Sequence, residues 1–231
     1  NNLNVNLKPF VPVIPPTLIK QEALEKMARL EPKEERYHIP SDDLYLTGSA
    51  EHSIGAMYMD ETLGAKELPL RYIGFSSAFR REAGSYGKDM KGILRVHQFD
   101  KLEMVSFTES DLGLDEQNFI VAIQEYLMNS LGLPYQVVAI CTGDMGAPDF
   151  RQIDIETWMP GQNKYRETNT SDYNTDSIEK SGVNRFLPLV RKDKYNVILY
   201  FFESTSWLYY DLRYNGEPVL PAMHSLAGNG L

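Results

Sequence analysis

The chain has 231 residues, of which 42% are hydrophobic, and its 23 basic and 32 acidic residues give a net charge of −9. This length and apolar content suit one folded domain, or a domain with an appendage, and exclude a disordered protein. The single cysteine, Cys141, excludes an intrachain disulfide and a cysteine-rich zinc site. The negative net charge excludes a protein surface that is basic overall, as nucleic-acid binding would favour, so any anion-binding site must be local.

The sequence suggests neither a membrane span nor a leader peptide. No run approaches the roughly 20 apolar residues of a transmembrane helix. The first residues are polar, whereas a leader would be charged and then apolar. We therefore expect a soluble, cytoplasmic protein without a membrane partner.

Short elements are predicted at the start of the chain. Residues 10–16 are apolar but interrupted by prolines, which cannot donate to a sheet, so they predict an edge or interface strand. Apolar residues near helical spacing predict a helix over 17–30 with Thr17 as its cap. A strand over 42–46 and a helix over 50–63 follow.

A large hairpin is predicted next. It consists of a strand over 72–79, a glycine-containing loop over 82–92 and a long strand over 93–105. An apolar stripe at helical spacing then predicts a helix over 115–131, with Asp115 as its cap.

Strands dominate the predicted remainder of the chain. They cover 137–141, which is apolar enough to be buried, and then 151–158, 195–202 and 207–214. Many strands and few helices, without strict β-α-β alternation, predict an α+β fold with an antiparallel sheet flanked by helices.

The hairpin is locally basic. Seven basic and three acidic residues lie between Arg71 and Lys101, so this stretch carries +4 in a chain of −9. One interpretation is an exposed hairpin whose charges pair across the strands. The other is a local anion-binding site.

Strand alternation sorts the hairpin side chains onto faces. One face of the second arm carries Ile93, Arg95, His97, Phe99, Lys101 and Glu103, and Ala78, Arg80 and Glu82 share a face of the first arm. Arginine forks bind phosphate oxygens bidentately, a phenylalanine ring can stack on a purine, and carboxylates accept amino groups. Together these groups could bind a nucleoside triphosphate and an amino-bearing substrate.

The hairpin residues also carry a family resemblance. FRREAGS at 79–85 and RVHQFDKLE at 95–103 closely resemble motif 2 of class II aminoacyl-tRNA synthetases, in the form found in bacterial-type seryl-tRNA synthetases. Residues 10–16 resemble motif 1, the family's dimer strand, and GSAE at 48–51 stands where the family has its Thr-x-Glu serine loop. CTGDMG at 141–146 and the segment 155–168 are also similar, and MHSLAGNGL at 223–231 is weakly so.

The resemblance implies a role for each matching residue. The implied catalytic residues are Arg80, on the ATP α-phosphate and the serine carboxylate, and Arg95, on the γ-phosphate. Glu82 would receive the adenine amino group, and Phe99 would stack on adenine. The implied serine-binding residues are Ser49, Glu51, Arg80, Glu103 and Asn229. Glu167 and Thr170 would bind ATP through Mg²⁺, since oxygen ligands suit that ion.

The implied reaction joins serine to ATP as seryl-adenylate and then transfers the seryl group to tRNA(Ser), in a homodimer. Departures from the family leave a second interpretation open. We expect residues 1–231 to be a truncated catalytic core that lacks the tRNA-gripping N-terminal arm and motif 3, and 177–209 to be an unfamiliar insertion or replaced segment. Such a chain would bind tRNA weakly or not at all on its own. The alternative is a catalytically impaired, synthetase-like ATP-binding or regulatory protein.

Overall fold

The computed structural model describes residues 8–83, 94–146 and 148–174 in full and the backbone of 195–203, 213–214 and 217–218. The helices are α1 (Gln21–Lys26), α2 (Ala50–Gly55) and α3 (Gly113–Ser130). The strands are β1 (Val11–Val13), β2 (Leu18–Lys20), β3 (His38–Ile39), β4 (Leu44–Leu46), β5 (Leu70–Phe79), β6 (Gln98–Glu109), β7 (Tyr135–Ala139), β8 (Arg151–Met159), β9 (Lys164–Asn174), β10 (Tyr195–Glu203), β11 (Arg213–Tyr214) and β12 (Glu217–Pro218).

A seven-stranded sheet forms the centre of the described part, in the order β1-β5-β6-β10-β9-β8-β7. Its neighbouring strands are antiparallel except β1, which runs parallel to β5 at one edge. The expected α+β class is therefore confirmed, as is the edge position of the proline-interrupted strand. None of the helices in the described ranges is long and apolar enough to cross a membrane.

Two helices cover opposite faces of this sheet. Side chains alternate along β6, so Leu102 and Met104 pack toward α3 while Val105 and Phe107 pack in the cluster that includes α2. The three-stranded sheet β2-β4-β3 and α1 form a smaller layer with its own apolar cluster. The face under α2 also carries the polar residues of the hairpin, as described below.

A buried ion pair attaches α3 to the sheet. Arg71 of β5 donates from Nη2 to Glu116 of α3 at 2.8 Å and from Nη1 to the carbonyl of Lys8 at 2.6 Å. Ser106 donates to the same glutamate at 2.8 Å. Arg71 belongs to the basic stretch of the sequence, but its side chain is buried and pairs with Glu116. It is therefore not part of an exposed anion-binding site.

Several element predictions need correction. The helix predicted from Thr17 is a short strand, β2, followed by α1, because Ile19 alternates inward against β4. The last helix begins at Gly113, so Asp115 lies in its first turn and does not cap it. The strand predicted over 93–105 begins only at Gln98.

The strand predicted over 137–141 was expected to be buried, and this is wrong. The observed strand, β7, is an edge of the sheet, where Val137 is 43% exposed and Cys141 is also exposed. An apolar run indicates a strand but cannot show which position that strand takes in the sheet. The strand predicted over 195–202 is confirmed as β10, which lies between β6 and β9. Of the strand predicted over 207–214, residues 207–212 lie outside the described residues.

Helix α2 lies close to the sheet because β5 has a glycine beneath it. A Cβ on Gly74 would lie 2.2 Å from Cδ1 of Ile54 and 3.4 Å from Cβ of Ala50. Since Ile54 is 1% exposed, its side chain has no open space into which to move.

We therefore predict that Gly74→Ala lowers the free energy of unfolding by about 1–3 kcal/mol, the usual cost of overpacking a core. Urea unfolding measures this. Gly161→Ala is the matched control, since a Cβ there meets no atom within 4 Å. Equal stability of the two variants would contradict the close packing of α2.

Candidate active site

The pairing of β5 with β6 builds the polar face. Ala78 is opposite Phe99, Ser76 is opposite Lys101 and Gly74 is opposite Glu103. These small residues on β5 leave room for the larger ones on β6. The structure thus confirms that Phe99, Lys101 and Glu103 share one face of the hairpin.

Arg80 lies at the end of this face. Its guanidinium carbon is 5.1 Å from the centre of the Phe99 ring, and its Nε donates to the carbonyl of Gly48 at 3.3 Å. The contact with the ring is a cation–π interaction. The structure therefore brings together a guanidinium and an aromatic ring, as predicted from the sequence.

Glu103 is the buried centre of the predicted serine-binding residues. It is 0% exposed and accepts hydrogen bonds from the Ser49 hydroxyl and from the Glu51 backbone N–H. Lys101 Nζ lies 3.2 Å from its carboxylate. Ser49 also caps α2, since its Oγ accepts from the Glu51 N–H at 3.3 Å. The predicted serine loop is therefore the capped start of a helix that is hydrogen-bonded to β6.

Burial changes the titration of Glu103. It raises the pKa of this carboxyl to about 7, against the opposing positive charge of Lys101, and the negative charge of Glu51 adds to the rise. Desolvation disfavours the ionised form, whereas a neighbouring ammonium favours it. Here desolvation prevails.

A polar cavity of about 240 Å³ adjoins this face. It is lined by Arg29, Arg80, Lys101, Asp144, Gly146, Asp149, Gln152, Glu167, Thr168, Asn169, Thr170 and Asp172. The lining contains four acidic and three basic side chains, so it can receive a ligand that carries both anionic and ammonium groups.

Glu167 and Thr170, three residues apart, both line the cavity, as do Thr168 and Asn169 between them, beside an irregularity in β9. Ile155 of β8 pairs with Asn169, but the next residue, Glu156, pairs with Glu167, so one residue of β9 is unpaired. Such a bulge shifts side-chain alternation by one position.

Glu167 and Thr170 offer oxygen atoms of the kind that bind Mg²⁺. Mg²⁺ usually takes one or two protein carboxylates or hydroxyls and completes its shell with water and phosphate oxygens. Thr170 is already engaged, since its hydroxyl donates to Asp154 at 2.5 Å and accepts from Gln152 at 3.1 Å. Within the described ranges, no group of three or more His, Cys, Asp or Glu residues is placed to hold a metal ion.

Arg95 and Glu82, which were predicted to contact opposite ends of ATP, contact each other. Arg95 Nε donates to a Glu82 carboxylate oxygen, and neither residue lines the cavity. Glu82 has a positive φ of 55°, so the chain turns sharply after Arg80. Asn229 lies outside the described residues.

Three residues that no sequence motif indicated meet at the cavity, namely Arg29, Asp149 and Asp172. Arg29 donates from Nε to Glu51 at 2.9 Å and from Nη2 to Asp172 at 3.3 Å, and it lies 3.7 Å from Asp149. Burial alone would lower the pKa of Arg29, but the charges of these carboxylates outweigh it and raise the pKa. No local pattern indicates such a cluster, because its members are far apart in the chain.

Burial also shifts the titration of the two aspartates. It raises the pKa of Asp149 to about 6, although Arg29 opposes the shift. It raises the pKa of Asp172 well above its usual range, and the neighbouring charge of Asp149 contributes in the same direction. The cavity therefore brings several carboxylates closer together than their charges favour.

The chain is similar to proteins of one family. Residues 34–181 match the tRNA synthetase class II core domain (G, H, P, S and T). The chain is 47% identical over 165 residues to serine–tRNA ligase of Acidothermus cellulolyticus, an alignment that covers 71% of this chain and 39% of the relative. It is 46% identical to the serine–tRNA ligase of Thermobifida fusca, with the same 71% and 39% coverage.

Two solved structures have a similar fold. One is seryl-tRNA synthetase from Pyrococcus horikoshii complexed with ATP, with a TM-score of 0.76, 36% identity and coverage of 84% of this chain and 44% of that one. The other is cytoplasmic serine–tRNA ligase from Naegleria fowleri in complex with AMP, with a TM-score of 0.77, 28% identity and coverage of 93% and 48%.

This chain therefore belongs to the class II tRNA synthetase core-domain family. Within that family, the relatives and structures described above are serine–tRNA ligases, which confirms the resemblance found in motif 2. The chain spans about two-fifths of the curated relatives, 39% of the first of them.

The pKa of Glu103 leads to a prediction about pH. Because this pKa is raised in the folded state, the protonated carboxyl contributes fully to stability below pH 4.5. This contribution is lost as the pH rises to about 7. Glu103→Gln cannot ionise. We predict that the stability of the wild type relative to this variant falls by up to about 3 kcal/mol across this window.

Urea unfolding of both proteins across this pH window measures the effect. Groups far from Glu103 titrate alike in both proteins, so their contributions cancel in the difference. A stability difference that stays constant with pH would contradict the assignment.

Proposed function

We propose that this chain is the catalytic core of an ATP-dependent serine–tRNA ligase. The observation that carries the proposal is the Arg80 guanidinium over the Phe99 ring beside a polar cavity, within motif 2 of the family. The relatives named serine–tRNA ligase, and the neighbour complexed with ATP, support the choice of substrates.

ATP would bind along the hairpin. Phe99 offers a ring for adenine, and Arg80 offers a fork for the α-phosphate and the serine carboxylate. Arg95 and Glu82 hold each other in the present structure. In the proposed complex they exchange this contact, so that Arg95 takes the γ-phosphate and Glu82 takes the adenine amino group.

Serine would bind beside Glu103, Glu51 and Ser49, with Asn229 as a further contact. A serine carboxylate oxygen attacks the α-phosphorus, the bond to the β-phosphate oxygen breaks, and pyrophosphate leaves. A ribose hydroxyl of tRNA(Ser) then takes the seryl group and AMP leaves. No protein nucleophile is needed, so the residues act by positioning and by neutralising charge.

Glu167 and Thr170 would hold Mg²⁺ against the phosphates. When bound, this ion would neutralise negative charge as pyrophosphate departs. In this proposal residues 1–231 are one catalytic core, in which 177–209 is an insertion or a replaced segment. A cytoplasmic location is part of the same proposal.

Serine-dependent exchange of pyrophosphate into ATP tests the first step. We predict exchange by the wild type and a loss of roughly 10²–10³ in rate for Arg80→Ala, the usual effect of removing a donor that stabilises developing negative charge. Arg81→Ala is the matched control, because Arg81 is adjacent, exposed and outside the cavity. Equal rates for the two variants would show that Arg80 does not have this role.

A second candidate function is a synthetase-like protein that binds ATP or a partner but does not charge tRNA. One contact favours it: Arg95, which the proposed enzyme would use for the γ-phosphate, is held by Glu82. Calorimetry separates the candidates. A non-hydrolysable seryl-adenylate analogue that binds more tightly than ATP supports the enzyme, whereas ATP binding alone supports the second candidate.

A homodimer through β1 is part of the proposal. This strand is at the sheet edge, Val11 is 50% exposed and Ile14, which follows it, is 89% exposed. We predict that the wild type sediments as a dimer at micromolar concentration and that Ile14→Glu shifts it to a monomer, because a buried unpaired charge opposes association. Val137→Glu, on the opposite edge strand, should remain dimeric. A monomeric wild type would contradict the prediction.

A further inference from the structure

Arg29 connects three separate segments around the cavity. Its partner Glu51 belongs to α2, Asp149 precedes β8, and Asp172 belongs to β9. The side chains of Glu51 and Asp149 are each 2% exposed, and that of Arg29 is 17% exposed. These carboxylates are nearly removed from water, so their charges depend on the guanidinium for compensation.

A planar guanidinium suits this position better than an ammonium. It presents five N–H donors in a rigid fork, so it can contact carboxylates in different directions at once. Lys101, an ammonium in the same cavity lining, lies against Glu103 instead. Three carboxyl groups surround this one guanidinium, so any two of them that ionise leave negative charge beside the cavity, which a substrate ammonium could offset.

The backbone turn before Arg29 helps to set the direction of its side chain. After α1, the N–H of Ala28 bonds to Glu25 and that of Arg29 bonds to Leu24, which is a Schellman ending. Ala28 has a φ of 48°, a left-handed conformation that costs a non-glycine residue roughly 1–2 kcal/mol. This turn directs Arg29 toward the cavity.

The opposite wall leaves space for the guanidinium. A Cβ on Gly146 would lie 2.3 Å from Asp149 Oδ2 and 3.3 Å from Arg29 Nη1. Any larger residue would therefore displace Asp149 or Arg29. The backbone on both sides of the cavity is thus adapted to one placement of this arginine.

We propose that Arg29 is a positioning residue that sets the specificity of the amino-acid subsite. It orients the Glu51 carboxylate and compensates the negative charge of Asp149 and Asp172. The subsite therefore accepts a substrate with one ammonium group and rejects a substrate with two. This inference rests on the proposed function. Arg29 touches the carboxylates and takes no part in the chemical step.

Binding of two adenylate analogues to the full chain tests the inference. One non-hydrolysable analogue carries serine, and the other carries 2,3-diaminopropionate, in which a second amino group replaces the serine hydroxyl. The wild type should prefer the seryl analogue. In Arg29→Gln the dissociation constant for the seryl analogue should rise and the preference should fall by roughly 10-fold, because an ammonium can replace the missing guanidinium charge. The dissociation constant for ATP should change less than two-fold.

Two further variants complete the design. Arg151→Gln is the matched control, since Arg151 contacts Gln117 and Asn118 of α3, on the other face of the sheet, and should retain the wild-type preference. Arg29→Lys keeps the positive charge but loses the planar fork, so its preference for the seryl analogue should lie between those of the wild type and Arg29→Gln. If Arg29→Gln does not fold, the preference measured for Arg29→Lys tests the inference in its place.

The outcomes separate the two claims. A wild type that binds neither analogue overturns the proposed function and the Arg29 inference with it. A wild type that binds the seryl analogue, together with Arg29 variants that keep its preference, overturns the inference alone. Equal loss of seryl-analogue and ATP binding also overturns it, because general loosening of the fold would have that effect.

Discussion

The antiparallel register between β5 and β6 is the constraint on which the site depends. It places Phe99, Lys101 and Glu103 on one face, opposite residues as small as Ala78 and Gly74. Because side chains alternate strictly along a strand, a slip of one residue would turn this whole set toward α3. The buried contacts of Glu103 with α2 oppose such a slip, since they would be lost without replacement.

Buried charge around the cavity is compensated by contacts between distant segments. Glu103 is held by Lys101 and by the start of α2, and Glu51 in the same helix is held by Arg29. Breaking one partner of a buried pair leaves an unpaired charge, which usually costs more than the pair itself contributes. Helix α2 therefore links the two groups of charges, and the Gly74 packing that holds it to the sheet is part of the site.

These arrangements agree with the proposed reaction, which needs no protein nucleophile. Such a reaction depends on where phosphates, an ammonium and a carboxylate are held, and on how their charges are met. The cavity lining offers both signs of charge within a small volume. Arg95 and Glu82, just beyond the ends of β6 and β5, form an ion pair, so their charges compensate each other within the chain.

The sequence alone determined the family, the α+β class and the shared face of Phe99, Lys101 and Glu103, because motif spacing and strand alternation are local properties. It also located the edge strand at 10–16, since proline cannot pair on both sides. Only the tertiary structure decided that β7 is an exposed edge, that Glu167 and Thr170 line one cavity, and that Arg29 meets Glu51, Asp149 and Asp172. Strand order, bulges and long-range ion pairs depend on which distant segments pack together, and a local pattern carries no record of that.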